Sequence, residues 1–258
     1  MASSPEPDRP VVWIATPRKD FKVSGEHNLE TVLGACDAHY GDPIRQLANW
    51  PECPWDIKLV VVGGGGIYQG RNVIATQFIE QTKNPFDRLF FVDYDLMPKG
   101  QDYVDILMND LDIVGGLYTT RAENGHWVMN QLPGAAPDKN GLLPVMDLGI
   151  GFKCFKRAVF TRVLKDNWWM DCRNDGDHSK RFYSFFNMGP VWDKKMWPGI
   201  GRPLTEDYWF DWITRESGFV TYADTKIRLR HLDEYAGKVY PAQFPHNPGA
   251  LPAESKEL

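Results

Sequence analysis

The chain has 258 residues, 43% of them hydrophobic and 13% aromatic, with 24% charged and a formal net charge of −5. That is enough apolar material for a packed core of one large or two small domains, and an acidic balance that excludes generic coating of nucleic acid. No apolar run approaches the about 20 residues that span a bilayer, and the polar, proline-bearing start, Met1 to Pro10, lacks the apolar centre of a secretion signal; a soluble, cytoplasmic protein with no membrane span is expected. The four cysteines, Cys36, Cys53, Cys154 and Cys172, form no C-x-x-C pair, so reduced thiols are expected and a zinc site is not.

Taken in order, Val11 to Pro17 reads as a first strand ending in a turn. Leu29 to Ala38 reads as a short helix. Leu59 to Val62 is a second strand, stopped by four glycines at 63–66. These glycines lack the Gly-Lys-Ser/Thr ending of a phosphate-binding loop and read as a turn. Arg71 to Thr82 has Ile74, Ala75, Phe78 and Ile79 on one helical face. A cation at a helix start gains nothing from the helix dipole, so Arg71 is either a plain surface residue or placed to meet an anion.

The densest signal is Leu89-Phe90-Phe91-Val92-Asp93-Tyr94-Asp95. Four apolar residues form a buried strand that runs into two carboxylates at i and i+2. On an extended chain both acids point to the same side. Such acids repel unless a cation sits between them, and a hard divalent ion, Mn²⁺ or Mg²⁺, suits oxygen ligands. A strand end capped by solvated acids explains the same residues without a metal.

Residues 102–108 read as a short helix and Asp112 to Gly116 as another strand. Alternating strands and helices imply an α/β fold with a largely parallel, Rossmann-like sheet flanked by helices. Ligands then bind beyond the carboxyl ends of the strands, where Thr16 and Asp95 fall. Pro133 to Pro144 reads as a loop, Arg157 to Lys165 as a helix, and 166–203 as a long aromatic loop of functional length. Glu206 to Ser217 is a helix after Thr205, closed by Gly218. Its acids Glu206 and Asp207 are favoured there by the helix dipole alone; Trp209 and Trp212 nearby offer aromatic platforms for a sugar or base. Phe219 to Arg230 reads as one or two strands leading to His231, a surface histidine or a third metal ligand. The stretch 241–258 has the composition of a disordered tail.

In this order the pieces resemble the GT-A glycosyltransferases, most nearly the small family-2-like and Anp1-like enzymes, including bacteriophage types. The resemblance spans about residues 11–235. It rests on Ile14-Ala15-Thr16-Pro17, Arg71-Asn72, Phe90 to Asp95, Asp112 to Tyr118, Asp147 to Phe152, Thr205 to Phe210 and Arg230-His231. It implies one GT-A-like domain over 11–240, with a nucleotide-sugar half (11–125) and an acceptor half (126–240). It also implies transfer from a nucleotide sugar, such as a UDP-sugar, with Mn²⁺ or Mg²⁺. Asp95 and His231 would bind the metal, with Asp93 on metal or ribose. Thr16, Pro17 and Arg71 would line the nucleotide pocket, and Gly149 and Gly151 would let backbone approach the sugar. Asp207 or Glu206 would serve the reacting sugar and acceptor.

Two acceptors stay open. Residues 1–125 carry 11 Lys and Arg against 18 Asp and Glu, and residues 126–258 carry 18 against 16. Lys153, Lys156, Arg157, Arg173, Lys180, Arg181, Lys194 and Lys195 would contact phosphates if the acceptor were hydroxymethylated pyrimidine in phage DNA, in the host cytoplasm. The aromatics between Trp168 and Trp212 would then stack on an everted base. Otherwise the acceptor is a glycan or small molecule and those aromatics pack a core. A metal-dependent nucleotidyltransferase and a non-catalytic sugar-binding module are the other classes open to this sequence.

Overall fold

The computed structural model describes residues 9–18, 38–63, 66–122, 125–173, 179–191, 201–233 and 238–240. The first elements are β1 (Val11–Arg18), α1 (Ala38–Ala48), β2 (Asp56–Gly63), α2 (Ile67–Gln81), β3 (Arg88–Val92) and β4 (Leu96–Met97). They are followed by α3 (Gly100–Met108), β5 (Ile113–Tyr118), β6 (Met129–Gln131), β7 (Leu142–Leu148), β8 (Phe152–Lys156) and α4 (Arg157–Asp166). After a 3-10 turn at Trp168–Met170 come β9 (Asp171–Arg173), β10 (Arg181–Tyr183), β11 (Gly189–Val191) and β12 (Arg202–Leu204). The last are α5 (Glu206–Glu216), β13 (Thr221–Asp233) and β14 (Lys238–Tyr240).

One large sheet runs β2-β1-β3-β8-β5-β13-β7-β6, with β4 and β14 added at the far end of β13. The neighbours β2, β1 and β3 are parallel, as are β5 and β13. Strand β8 runs against β3 and β5, and β7 runs against β13 and β6. Six of the eight strands on this path point one way, with β8 and β7 reversed, so the fold is α/β with a mixed, mostly parallel sheet, as the alternation in sequence implies.

Continuous apolar strands pay for their composition by having both faces covered. Alternate residues of β1 and β3 go to opposite sides. Val12, Ile14, Phe90 and Val92 join Tyr40, Ile44 and Leu47 of α1 and Tyr103, Ile106 and Leu107 of α3. Trp13, Ala15, Leu89 and Phe91 join α2, α4 and α5 through Phe78, Phe160 and Phe210.

Several boundaries differ from the sequence reading. The reading of 29–38 as a helix lies outside the described residues except at its last position, where α1 begins. Helix α2 starts four residues before Arg71, because Gly66 in extended geometry opens it. The glycines 64 and 65 lie outside the described residues. The expected loop of 133–144 ends earlier, since Leu142 to Pro144 already pair with β13. The long 166–203 loop contains the hairpin β9–β10 and strand β11, with 174–178 and 192–200 outside the described residues. The tail from 241 onward, and Lys194 and Lys195, also lie outside them. Among the described residues no helix is long and apolar enough to cross a membrane.

Candidate functional site

Strand β3 ends at Val92, and Asp93 to Asp95 form a turn, with Leu96 N–H donating to the Asp93 carbonyl at 3.1 Å. Simple strand alternation therefore does not place the two acids, contrary to the sequence argument. The turn is fixed from both sides. Asp93 N–H donates to the Gly151 carbonyl at 2.7 Å, and Leu232 N–H donates to the Asp95 carbonyl at 2.7 Å. The short β4 then pairs with β13, setting His231 opposite Leu96. Backbone pairing thus brings His231 to the aspartate turn.

Asp93 and Asp95 have different partners. Arg71 Nη2 donates to both Asp93 oxygens at 2.9 and 3.2 Å, and Arg71 Nη1 donates to Glu206 Oε1 at 2.8 Å. One buried guanidinium thus joins the aspartate turn to the first turn of α5, 135 positions away. Burial alone would lower the Arg71 pKa, but Asp93, Glu206 and Asp207 outweigh it and hold it above the usual arginine value. The expectation that Arg71 lines a nucleotide pocket meets this arrangement: the side chain is 3% exposed and both terminal nitrogens are spent on carboxylates.

Asp95 faces His231 and Arg121. His231 Nε2 lies 3.3 Å from Asp95 Oδ2. Arg121 Nη2 pairs with the same carboxylate oxygen, and Arg121 Nε lies 3.2 Å from His231 Nε2. His231 Nδ1 is 2.9 Å from the Thr119 carbonyl. A carbonyl only accepts, so Nδ1 carries the proton and Nε2 presents its lone pair to this group. Burial pushes the His231 pKa below its ordinary value, and Arg121 works in the same direction. The imidazole is therefore neutral at pH 7, the state that binds metals.

Glu206 and Asp207 open α5. Burial raises the Glu206 pKa, while Arg71 pulls it back. Asp207 accepts from Thr205 Oγ1 and, at 2.9 Å, from Tyr208 N–H, and is not tied to an arginine by a hydrogen bond or ion pair among the described residues. The sequence reading missed Tyr118, which sits at the centre. Its hydroxyl accepts from Gly151 N–H at 3.0 Å, and its ring lies edge-on to His231 at 5.8 Å. Burial, with Asp93 and Asp207 adding to it, keeps the phenol well above its usual pKa, hence protonated. A Cβ on Gly151 would sit 2.8 Å from the Tyr118 hydroxyl and 2.9 Å from Asp93 Oδ2. A Cβ on Gly149 would collide with the same hydroxyl. These glycines make room for Tyr118, so the close approach expected of them is to a side chain of the protein.

The remaining expected residues sit at the edge of this group. Thr16 is buried, donates to the Val92 carbonyl at 2.6 Å and also bonds the Tyr40 hydroxyl. Its hydroxyl is thus engaged inside the protein. Pro17 pairs in register with Val62 and lies against Gly70.

Among the described residues no three His, Cys, Asp or Glu side chains gather around a common point. Asp95 and His231 form a pair, and Asp93 turns towards Arg71. The donor set fits a divalent ion all the same. A carboxylate and a neutral imidazole present lone pairs within 3.3 Å of each other, and a cationic group, Arg121, already contacts both.

Of the six described basic residues expected to meet phosphate, three are engaged within the protein, while Arg173, Lys180 and Arg181 are exposed. Lys153 is fully buried in an ion pair with Asp211 and donates to the Leu148 carbonyl at 3.1 Å. Lys156 pairs with Asp110 and Asp112, and Arg157 donates to the Thr82 and Ile79 carbonyls. Of the aromatics, Tyr183, Phe185, Phe186 and Phe210 are core, while Trp168 stands exposed.

No family model matches the chain, and no curated protein matches it. Solved structures do. The crystal structure of A197 from STIV matches at TM-score 0.44 and 15% identity, over 95% of this chain and 99% of that one. GalNAc-T7 with UDP, GalNAc and Mn²⁺ matches at 0.45 and 10%, over 88% of this chain and 45% of that one. S. aureus TarS 1–349 matches at 0.35 and 16%, over 83% and 60%.

Proposed function

We propose that this chain is a glycosyltransferase of GT-A type that moves a sugar from a nucleotide-sugar donor to an acceptor hydroxyl with the help of Mn²⁺ or Mg²⁺. The observation that carries the reading is the meeting of Asp95 with the lone pair of His231, at the carboxyl end of β3 and beside the Arg71-bridged Asp93 and Glu206. Asp95 and His231 would hold the cation, with Asp93 beside them, towards metal or ribose. A bound divalent cation supplies neutralisation of the charge that develops on the leaving diphosphate.

The chain's own residues divide the other tasks. Asp207 is the acid best placed to take the proton of an acceptor hydroxyl, because Glu206 is committed to Arg71. Arg71 orients Asp93 and Glu206. Tyr118 keeps its proton and braces the 149–151 turn against His231. The acceptor that this surface supports is a glycan or small molecule rather than hydroxymethylated DNA. Lys153, Lys156 and Arg157 are engaged within the protein, so of the described basic residues named for that role only Arg173, Lys180 and Arg181 stand exposed, and duplex binding needs a whole face of cations.

The test is hydrolysis of, and transfer from, a panel of nucleotide sugars with and without Mn²⁺. Turnover of at least one donor, abolished by chelation, is expected. A folded protein that turns over none of the panel, with any acceptor from glycans to hydroxymethylcytosine DNA, would remove the reading. Release of sugar 1-phosphate, the leaving group of nucleotidyl transfer from such a donor, instead of nucleoside diphosphate would favour a nucleotidyltransferase.

A further inference from the structure

Arg121 lies on the turn after β5, inside the bridge between Thr119 and Trp127. Its guanidinium touches Asp95 Oδ2 and His231 Nε2, the two atoms that would face a divalent cation. Those atoms are 3.3 Å apart and both carry lone pairs. Left to themselves they repel, and a positive group against both relieves that repulsion. A guanidinium and a metal ion satisfy the same need with the same atoms, so both cannot use them fully at once.

We propose that Arg121 is a built-in competitor for the divalent cation, and that the cation enters as the guanidinium swings out. The inference rests on the metal-dependent reading above. The exposures fit it. The Arg121 side chain is 46% exposed, whereas that of Asp95 is 18% and that of His231 12%. The turn keeps its shape through backbone bonds, Thr120 N–H to the His126 carbonyl and Ala122 N–H to the Thr120 carbonyl, which do not involve the guanidinium. Arg71 shows the contrast. It is sealed between its two acids, and it is the cation that stays.

Competition has a consequence for order of binding. A displaced arginine on the rim of a diphosphate site gains a new anionic partner, which its planar fork grips well. The donor's diphosphate thus rewards the exchange, and metal and donor bind with positive coupling. Without donor, Arg121 holds the acids and keeps metal affinity low.

The experiment is a titration of Mn²⁺ into the full chain, followed by the electron paramagnetic resonance of free Mn²⁺, with and without UDP. Arg121→Ala and the uncharged, polar Arg121→Gln are compared with wild type, with Asp95→Ala as the blank. Thermal melts without metal establish that each variant is folded. Both Arg121 variants should bind Mn²⁺ alone roughly tenfold tighter, the scale of one charge-assisted contact removed. UDP should improve Mn²⁺ affinity more in wild type than in either variant. Equal or weaker Mn²⁺ binding by the variants, with binding still dependent on Asp95, overturns the competition and leaves the metal reading intact. No Mn²⁺ binding by any chain, with or without UDP, overturns both.

Discussion

Arg71 shows how one side chain governs a site. Its two terminal nitrogens hold carboxylates from the turn after β3 and from α5, and the side chain is 3% exposed. Removing one partner of a buried ion group leaves the others uncompensated, which costs about 3–5 kcal/mol. Arg71→Met should therefore lower unfolding free energy by that order in urea titration. A loss below about 1 kcal/mol, the scale of a surface pair, would mean that the triad carries no weight. Tyr118 allows a second test at this scale. Gly149→Ala would drive a methyl group into its hydroxyl, an overpacking cost of about 1–3 kcal/mol. Tyr118→Phe removes the hydroxyl, so the double variant should recover part of that loss. Strict additivity of the two changes in chemical denaturation would contradict the packing described.

At the scale of elements, α5 carries two separate duties. Its first turn presents Asp207 to the site, and its middle buries Asp211 against Lys153 of β8. If Asp207 is the base, Asp207→Asn should cut turnover by roughly 10²-fold or more with donor affinity unchanged, the scale of general-base loss. Full turnover in Asp207→Asn would reduce that acid to a helix-end residue. Burial pushes the Asp211 carboxyl up to about 6, against the pull of Lys153. An acid raised in the folded state binds its proton there while the unfolded chain, near the ordinary value of 3.8, has lost it. Its contribution is full below that value and falls as pH rises towards 6. Stability measured from pH 4 to 6 should therefore decline with pH more steeply in wild type than in Asp211→Asn; parallel curves would contradict the assignment.

The same elements show what was legible beforehand. Helix α4 could be read from apolar spacing, helix α5 from Thr205 before it and Gly218 after it, and β3 from its unbroken apolar run. Helix α1 could not, although Tyr40, Ile44 and Leu47 fall on one face and are buried, because Gly41 and Pro43 read as breakers. Lys153 reads as a free cation in the sequence. Its buried partner lies 58 positions away on another element, and no local pattern announces it. Arg121 was silent for the same reason, since its role exists only where the turn after β5 meets β13.

For the whole molecule, the sheet topology does the assembling. Strand β13 lies beside β5 and extends to pair with β4, which carries His231 to the aspartate turn across the length of the chain. The two candidate ligands, Asp95 and His231, lie 136 positions apart in the sequence and belong to one group of side chains only in the folded protein. Their joint need for a cation is the central claim. It is tested most directly by calorimetric titration of Mn²⁺ in the presence of UDP into wild type, Asp95→Ala and His231→Ala. Binding at one site per chain in wild type, lost in Asp95→Ala and weakened by roughly 10-fold or more in His231→Ala, is the result this account predicts. Unchanged Mn²⁺ binding in a folded Asp95→Ala variant would contradict it.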